Sequence, residues 1–156
     1  MLTSLQIENI AIIERTSVGF AGGLNVLTGE TGAGKSIIID SINAVSGEKT
    51  SRELIRTGET SASVTAMFEN VPDFVLRLAA ENGIDCPDGA LLLQRRLYRD
   101  GKNACRINGM TVTLSMLRLI ASNLVNIHGQ RDAQTLLDDE HHMDFTDEYA
   151  DNEKER

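Results

Sequence analysis

Apolar and polar residues alternate from the start of the chain. Over "LTSLQIENIAII" (2–13) and "RTSVGFAGGLNVLTG" (15–29) the two-residue period predicts strands, and the second stretch ends in an apolar run, Leu24 to Leu27, that reads as a strand of its own. The period then changes: Lys35 to Val45 is a helix-like run. The polar and charged stretch from Ser46 to Ser61 reads as a loop, and "SVTAMFE" (63–69) returns as a strand. Pro72-Asp73 at one end and Gly83 at the other punctuate a second helix. In "ALLLQRRLYRDGKNACRINGMTVT" (90–113), Asp100-Gly101 and Asn108-Gly109 are turn signals that divide three strand-like runs. "LSMLRLIA" (114–121) has the spacing of an amphipathic helix, and "NLVNIHGQ" (123–130) reads as a buried strand ending in a polar loop. From Asp138 to Arg156 the chain is charged, and Met143, Phe145, Tyr149 and Ala150 make no clean stripe. Acids in its first turn favour a helix beginning near Asp138, either solvated and frayed or the root of a coiled coil. The expected organisation is a lobe over 1–137 followed by this tail over 138–156.

The junction between the Leu24 run and the Lys35 helix carries the chemistry. Gly29, Glu30, Thr31, Gly32, Ala33, Gly34, Lys35 and Ser36 fit G-x-x-x-x-G-K-[ST], placed between a strand-like and a helix-like run. Such a turn lets consecutive backbone N–H groups face an anion, and the helix that follows adds the partial positive charge of its N-terminus. Lys35 then places a point charge on the β and γ phosphates of a nucleotide, and the Ser36 hydroxyl suits a Mg²⁺ ion bridging them.

Composition sharpens the picture in two places. With 4% aromatic residues and no tryptophan, the core has to be aliphatic. No stretch approaches the roughly 18 apolar residues of a membrane span, and "MLTSLQIENI" lacks a basic leader, so a soluble, cytoplasmic protein is expected. Cys86 and Cys105 have no metal-like spacing and read as free thiols. The formal charge of −8 is unevenly spread: residues 137–156 hold nine acids and two bases, which leaves 14 acids against 13 bases before them. Within that near-neutral part, "RRLYRDGKNACR" (95–106) holds five bases and one acid. On a ribbon turning at Asp100-Gly101, Arg95 and Arg99 share one face, while Arg96 and Tyr98 share the other. With Lys102 and Arg106 added, no more than about three of these bases can meet one nucleic-acid backbone together, and the ribbon also reads as a solvated hairpin.

Hydrolysis by a phosphate-loop protein needs a second carboxylate site, usually an apolar strand ending in Asp. "IIID", ending at Asp40, belongs to the helix after the loop, and "TLLDDE" (135–140) has too short an apolar run. The chain reads as half of a nucleotide site.

Taken together, "LTSLQIENIAII", "GLNVLTGETGAGKS", "YRDGKNACRINGMTVTL" and "VNIHGQRD" resemble the N-terminal half of the ATPase head of SMC-like proteins, and among these the RecN family of bacterial double-strand-break repair. The resemblance implies an α/β P-loop NTPase fold, the N-terminal lobe of an ABC/SMC-type ATPase head, with an antiparallel β layer beside the phosphate loop. It implies ATP and Mg²⁺ as cofactors. It also implies the C-terminal lobe of the same head, a second head, double-stranded DNA and RecA as partners, with no membrane. Gly29 to Ser36 match the Walker A loop. Gln130 matches the Q-loop glutamine that touches Mg²⁺ and the attacking water, a task suited to an uncharged amide. His128 is placed near that site without a role. Arg15, Arg52 and Arg56 are each candidates to face the nucleotide. Two other readings stand beside this one: a self-contained small P-loop kinase, with the 95–106 ribbon as lid, and a nucleic-acid-binding module using the same ribbon. An open apolar side is expected where the other lobe would pack.

Overall fold

The computed structural model describes residues 1–28 and 34–127, and the chain divides into two compact units, Met1–Val125 and Asn126–Arg156. The described helices and strands all belong to the first unit. The opening alternation folds into β1 (Leu2–Ile10) and β2 (Ile13–Gly19), joined by a two-residue turn in which Ala11 takes a φ of 49°. The phosphate-loop helix is α1 (Gly34–Val45). It is followed by a single 3₁₀ turn, Arg52–Leu54, and by β3 (Ser61–Phe68), α2 (Asp73–Glu81), β4 (Leu91–Tyr98), β5 (Asn103–Ile107), β6 (Met110–Val112) and α3 (Leu114–Ser122).

The six strands form one antiparallel sheet in the order β2-β1-β3-β4-β5-β6. Its register sorts side chains by the two-residue period. Ala62, Val64, Ala66 and Phe68 of β3 are buried, and the residues between them are half-buried. Leu5 and Ile7, Leu91 and Leu93, and Ile107 join that buried face, against which the helices pack. Each Val, Leu, Ile or Phe side chain among them contributes roughly 1.5–3 kcal/mol by leaving water. Among the described residues no aromatic but Phe68 reaches the set of largest fully buried side chains, in keeping with an aliphatic interior.

The turn chemistry anticipated in the sequence is present. Asn108 (φ 48°) and Gly109 (φ 81°) join β5 to β6, both in the left-handed region that a tight hairpin demands. The α2 helix ends at Gly83 (φ 76°): the Ile84 N–H donates to Ala79 O and the Gly83 N–H to Ala80 O, the pair of bonds that satisfies the last carbonyls of a helix. At the start of α3 the Thr113 hydroxyl accepts from the Met116 N–H at 3.1 Å.

Three expectations change. Leu24–Leu27 is not a strand. It has no sheet partner among the described residues and is open to solvent, Leu24 at 91% and Val26 at 69% exposure. A continuously apolar run is suited to a strand covered on both faces, and the antiparallel sheet of this chain ends at β2 without taking it in. Asn123–Ile127 is also not a strand: it is the turn ending α3 and irregular chain beyond it, while 128–130 and the tail over 138–156 lie outside the described residues. The stretch from Ser46 to Ser61 is less featureless than its polarity suggests, because Ile55 is buried and bridges to Ile10, closing the end of the sheet.

Candidate functional site

The site is organised by α1. Ile37, Ile38, Ser41, Ala44 and Val45 are its buried positions, at the 3–4-residue spacing of one helical face. Gly34, Lys35 and Ser36 open the helix and are exposed, so the Lys35 ammonium and Ser36 hydroxyl are carried at its N-terminal turn, where the helix dipole favours an anion. The Ser36 hydroxyl is a hard oxygen, the donor type that suits a divalent cation such as Mg²⁺. Gly29 to Ala33, His128 and Gln130 lie outside the described residues. Asp40 is confirmed as helical, one turn beyond Ser36 and exposed. Among the described residues no group of three or more His, Cys, Asp or Glu side chains could hold a metal by itself.

The far end of α1 is held more tightly than the sequence suggested. The Gly47 N–H donates to Ala44 O and the Glu48 N–H to Asn43 O, with Gly47 at φ 87°. Two arginines then reach the same place from other elements. Arg95 of β4, only 3% exposed, donates from its Nη1 to Ala44 O and Glu48 O, both at 2.7 Å, and from its Nε to Asn103 Oδ1 at 3.1 Å. Arg118 of α3 donates to Gly47 O at 2.8 and 3.2 Å. Cations at a helix C-terminus complement its dipole. Burial pushes the Arg95 guanidinium below its ordinary value, the neighbouring Arg118 adding to the effect. A Cβ on Gly47 would lie 2.9 Å from Arg118 Cβ, so α3 approaches α1 through that glycine.

This corrects the reading of the basic ribbon. The predicted alternation holds, but the face holding Arg95 is the inner one, and Arg95 is a structural clamp unavailable to DNA. Its period with Leu91, Leu93 and Leu97 was the signal in the sequence. Arg99 is committed as well: its side chain donates to Glu59 O and, at 2.9 Å, to Arg56 O, tying the hairpin to the loop after the 3₁₀ turn. Lys102 pairs with Asp100 at 3.1 Å.

The three candidate nucleotide arginines also separate. Arg15 lies on the sheet face opposite α1, in an ion pair with Glu8, whose carboxyl is held below its usual range by Arg15 first and the Ser63 hydroxyl second. Arg52 lies against the hairpin turn, where a Cβ on Gly101 would come within 2.7 Å of its Nη2. Arg56 stands 3.6 Å from Glu14, beside the β1–β2 turn.

Comparison with known proteins agrees with this geometry. A family model described as AAA domain matches residues 4–102. The DNA repair protein RecN of Bacillus subtilis (strain 168) is 46% identical over 153 residues, covering 96% of this chain and 26% of that protein. RecN of Halalkalibacterium halodurans is 48% identical over 151 residues, covering 96% and 27%. The chain thus spans about a quarter of the length of the curated relatives it matches. Among solved structures, the SMC head domain from Thermotoga maritima superposes with a TM-score of 0.57 at 29% identity, covering 75% of this chain and 40% of that one. The Smc head domain with a coiled coil and joint from Pyrococcus yayanosii gives 0.69 at 22% identity, covering 86% and 29%, a likeness of fold. With the phosphate-loop helix packed on an antiparallel sheet, the chain belongs to the AAA domain family and to the RecN-type, SMC-like ATPase heads.

Proposed function

We propose that this chain is the ATP-binding half of an ATPase head acting in DNA double-strand-break repair and recombination, in which hydrolysis needs a second, C-terminal lobe and engagement with a second head. The observation that carries the reading is the exposed Gly34-Lys35-Ser36 turn at one end of a helix whose other end is clamped by two arginines. Binding would rest on the backbone N–H groups of Gly29 to Gly34 and on Lys35, which meets the β and γ phosphates. Ser36 and Gln130 would hold Mg²⁺, with Gln130 also orienting water. The ion supplies charge neutralisation at the transferred phosphoryl group.

The exposure of Leu24, Val26 and Leu27 supports the need for a second lobe, because an apolar run without sheet neighbours gains a partner when another strand is added beside it. Duplex DNA and RecA are the further partners this reading names, with ATP and Mg²⁺ as cofactors and the cytoplasm as its compartment. Among the described residues no helix is long and apolar enough to cross a membrane.

ATP binding and steady-state hydrolysis by the chain alone, repeated after adding the separately expressed C-terminal lobe, test the proposal. Binding without turnover, then turnover on mixing, is the expected result. Turnover by the chain alone at an ordinary enzyme rate would overturn it in favour of a self-contained small P-loop kinase.

A further inference from the structure

The two ends of α1 are built differently. At its first turn Gly34, Lys35 and Ser36 are exposed. At its far end and in the turn that follows, Ala44 O, Gly47 O and Glu48 O accept from arginines carried by two other elements, Arg95 of β4 and Arg118 of α3. The backbone of α3 also touches that turn directly: a Cβ added to Gly47 would stand 3.0 Å from Arg118 Cα and 3.1 Å from its N. Along the shaft the helix is packed through Ile37, Ile38, Ala44 and Val45, whose apolar contacts are non-directional. The buried Ser41 hydroxyl donates at 2.6 Å to Ile37 O of the same helix. Apolar burial keeps α1 on the sheet, and bonds of fixed length and angle decide how far along its axis it sits and how it is rotated.

We propose that Arg95 and Arg118 are positioning residues for nucleoside triphosphate binding: by fastening the end of α1 to β4 and α3, they set where Lys35 and Ser36 stand against the β and γ phosphates. The inference rests on the ATP-binding reading above and adds to it two residues outside the phosphate-loop motif. The 12 residues of α1 span about 18 Å at about 1.5 Å per residue, so a slide or rotation at one end is carried to the other. Direct attraction between these guanidinium groups and a phosphate is screened across that length, which is roughly twice the Debye length of about 8 Å at physiological salt. Position matters more. Where geometry governs, a misplacement of about 1 Å can cost about 100-fold, so part of such a shift should be read as about a tenfold loss of affinity.

Of the two arginines, Arg118 is the better probe. Its side chain is half-exposed, so its removal disturbs stability less than removal of the buried Arg95.

Isothermal titration of this chain with MgATP compares wild type, Arg118→Gln, Ser36→Ala and the double variant, the folded fraction of each being checked by circular dichroism at the same temperature. Arg118→Gln should bind about tenfold more weakly. Substitutions this far apart usually combine to within about twofold in affinity, so independent roles predict the same tenfold loss in the Ser36→Ala background. If Arg118 acts by placing Ser36, the loss in that background shrinks to about threefold or less. Gly47→Ala, which displaces the same contact without removing a charge, should also weaken MgATP binding. Arg118→Lys should recover most of the affinity, because an ammonium can still donate to Gly47 O. Arg77→Gln, an exposed arginine of α2, should leave the affinity unchanged. An undiminished affinity in Arg118→Gln, an additive cycle, or normal binding by folded Gly47→Ala would each overturn the proposal. Wild-type protein that binds no MgATP would refute the ATP-binding reading itself, whereas wild-type binding with an additive cycle removes this inference alone.

Discussion

Arg95 and Arg96 are adjacent, carry the same charge and should behave oppositely on truncation. Arg95→Ala removes the donor from Ala44 O, Glu48 O and Asn103 Oδ1. Asn103 is exposed and can turn to water, which leaves two carbonyls that lose a charged donor. Each loses about 1–3 kcal/mol, and relief of the buried guanidinium's desolvation offsets part of the sum, so a net loss of about 3 kcal/mol is expected. For a unit spanning Met1–Val125 that corresponds to a Tm lower by about 12 °C, at about 4 °C per kcal/mol. Arg96→Ala, on the solvated face, should stay within about 0.5 kcal/mol of wild type. Arg95→Lys should fall between, since one ammonium does not reproduce the guanidinium's fork. Urea denaturation followed by circular dichroism reads all three. Equal effects of the two alanine substitutions, or a neutral Arg95→Ala, would refute the clamp and the register that places it.

Other outcomes rest on the same geometry. Gly47→Ala should cost about 2 kcal/mol or more, combining a left-handed φ with backbone atoms of Arg118 in the way, whereas Gly58→Ala (φ 92°, open space) should cost about 1 kcal/mol; paired urea melts compare them. Lys35→Ala should abolish or nearly abolish nucleotide binding. Gln130→Ala should leave binding largely intact and slow hydrolysis in the reassembled head; equal loss of binding from both would contradict the division of roles. Burial raises the Cys105 thiol above its ordinary value, partly countered by Arg95, so its thiolate is scarce at neutral pH. Iodoacetamide at pH 7.5 should modify Cys105 far more slowly in folded than in urea-unfolded protein, and a rate matching a free thiol would show that the strand opens.

The candidate site was partly legible in the sequence because its chemistry is local. G-x-x-x-x-G-K-S followed by an apolar helical run needs only neighbouring residues to form a phosphate-binding turn, and Gly34 to Ser36 do open α1. The clamp at the helix's other end was hidden. Arg95 reaches Ala44 across 51 positions and Arg118 reaches Gly47 across 71, and composition alone assigned Arg95 to solvent because arginine is usually there.

The sequence by itself determined where most elements start and stop. Pro72-Asp73, Gly83, Thr113, Asp100-Gly101 and Asn108-Gly109 act on backbone angles and hydrogen bonds within a few residues of themselves, so their effect survives whatever packs above them. Only the tertiary structure decided what each face meets. Strand order placed β3 between β1 and β4, turned Arg95 inward and Arg96 outward, and left Leu24 to Leu27 outside the sheet. Those outcomes depend on pairings between distant segments, whose balance of burial and hydrogen bonding is not set by any one segment's own pattern.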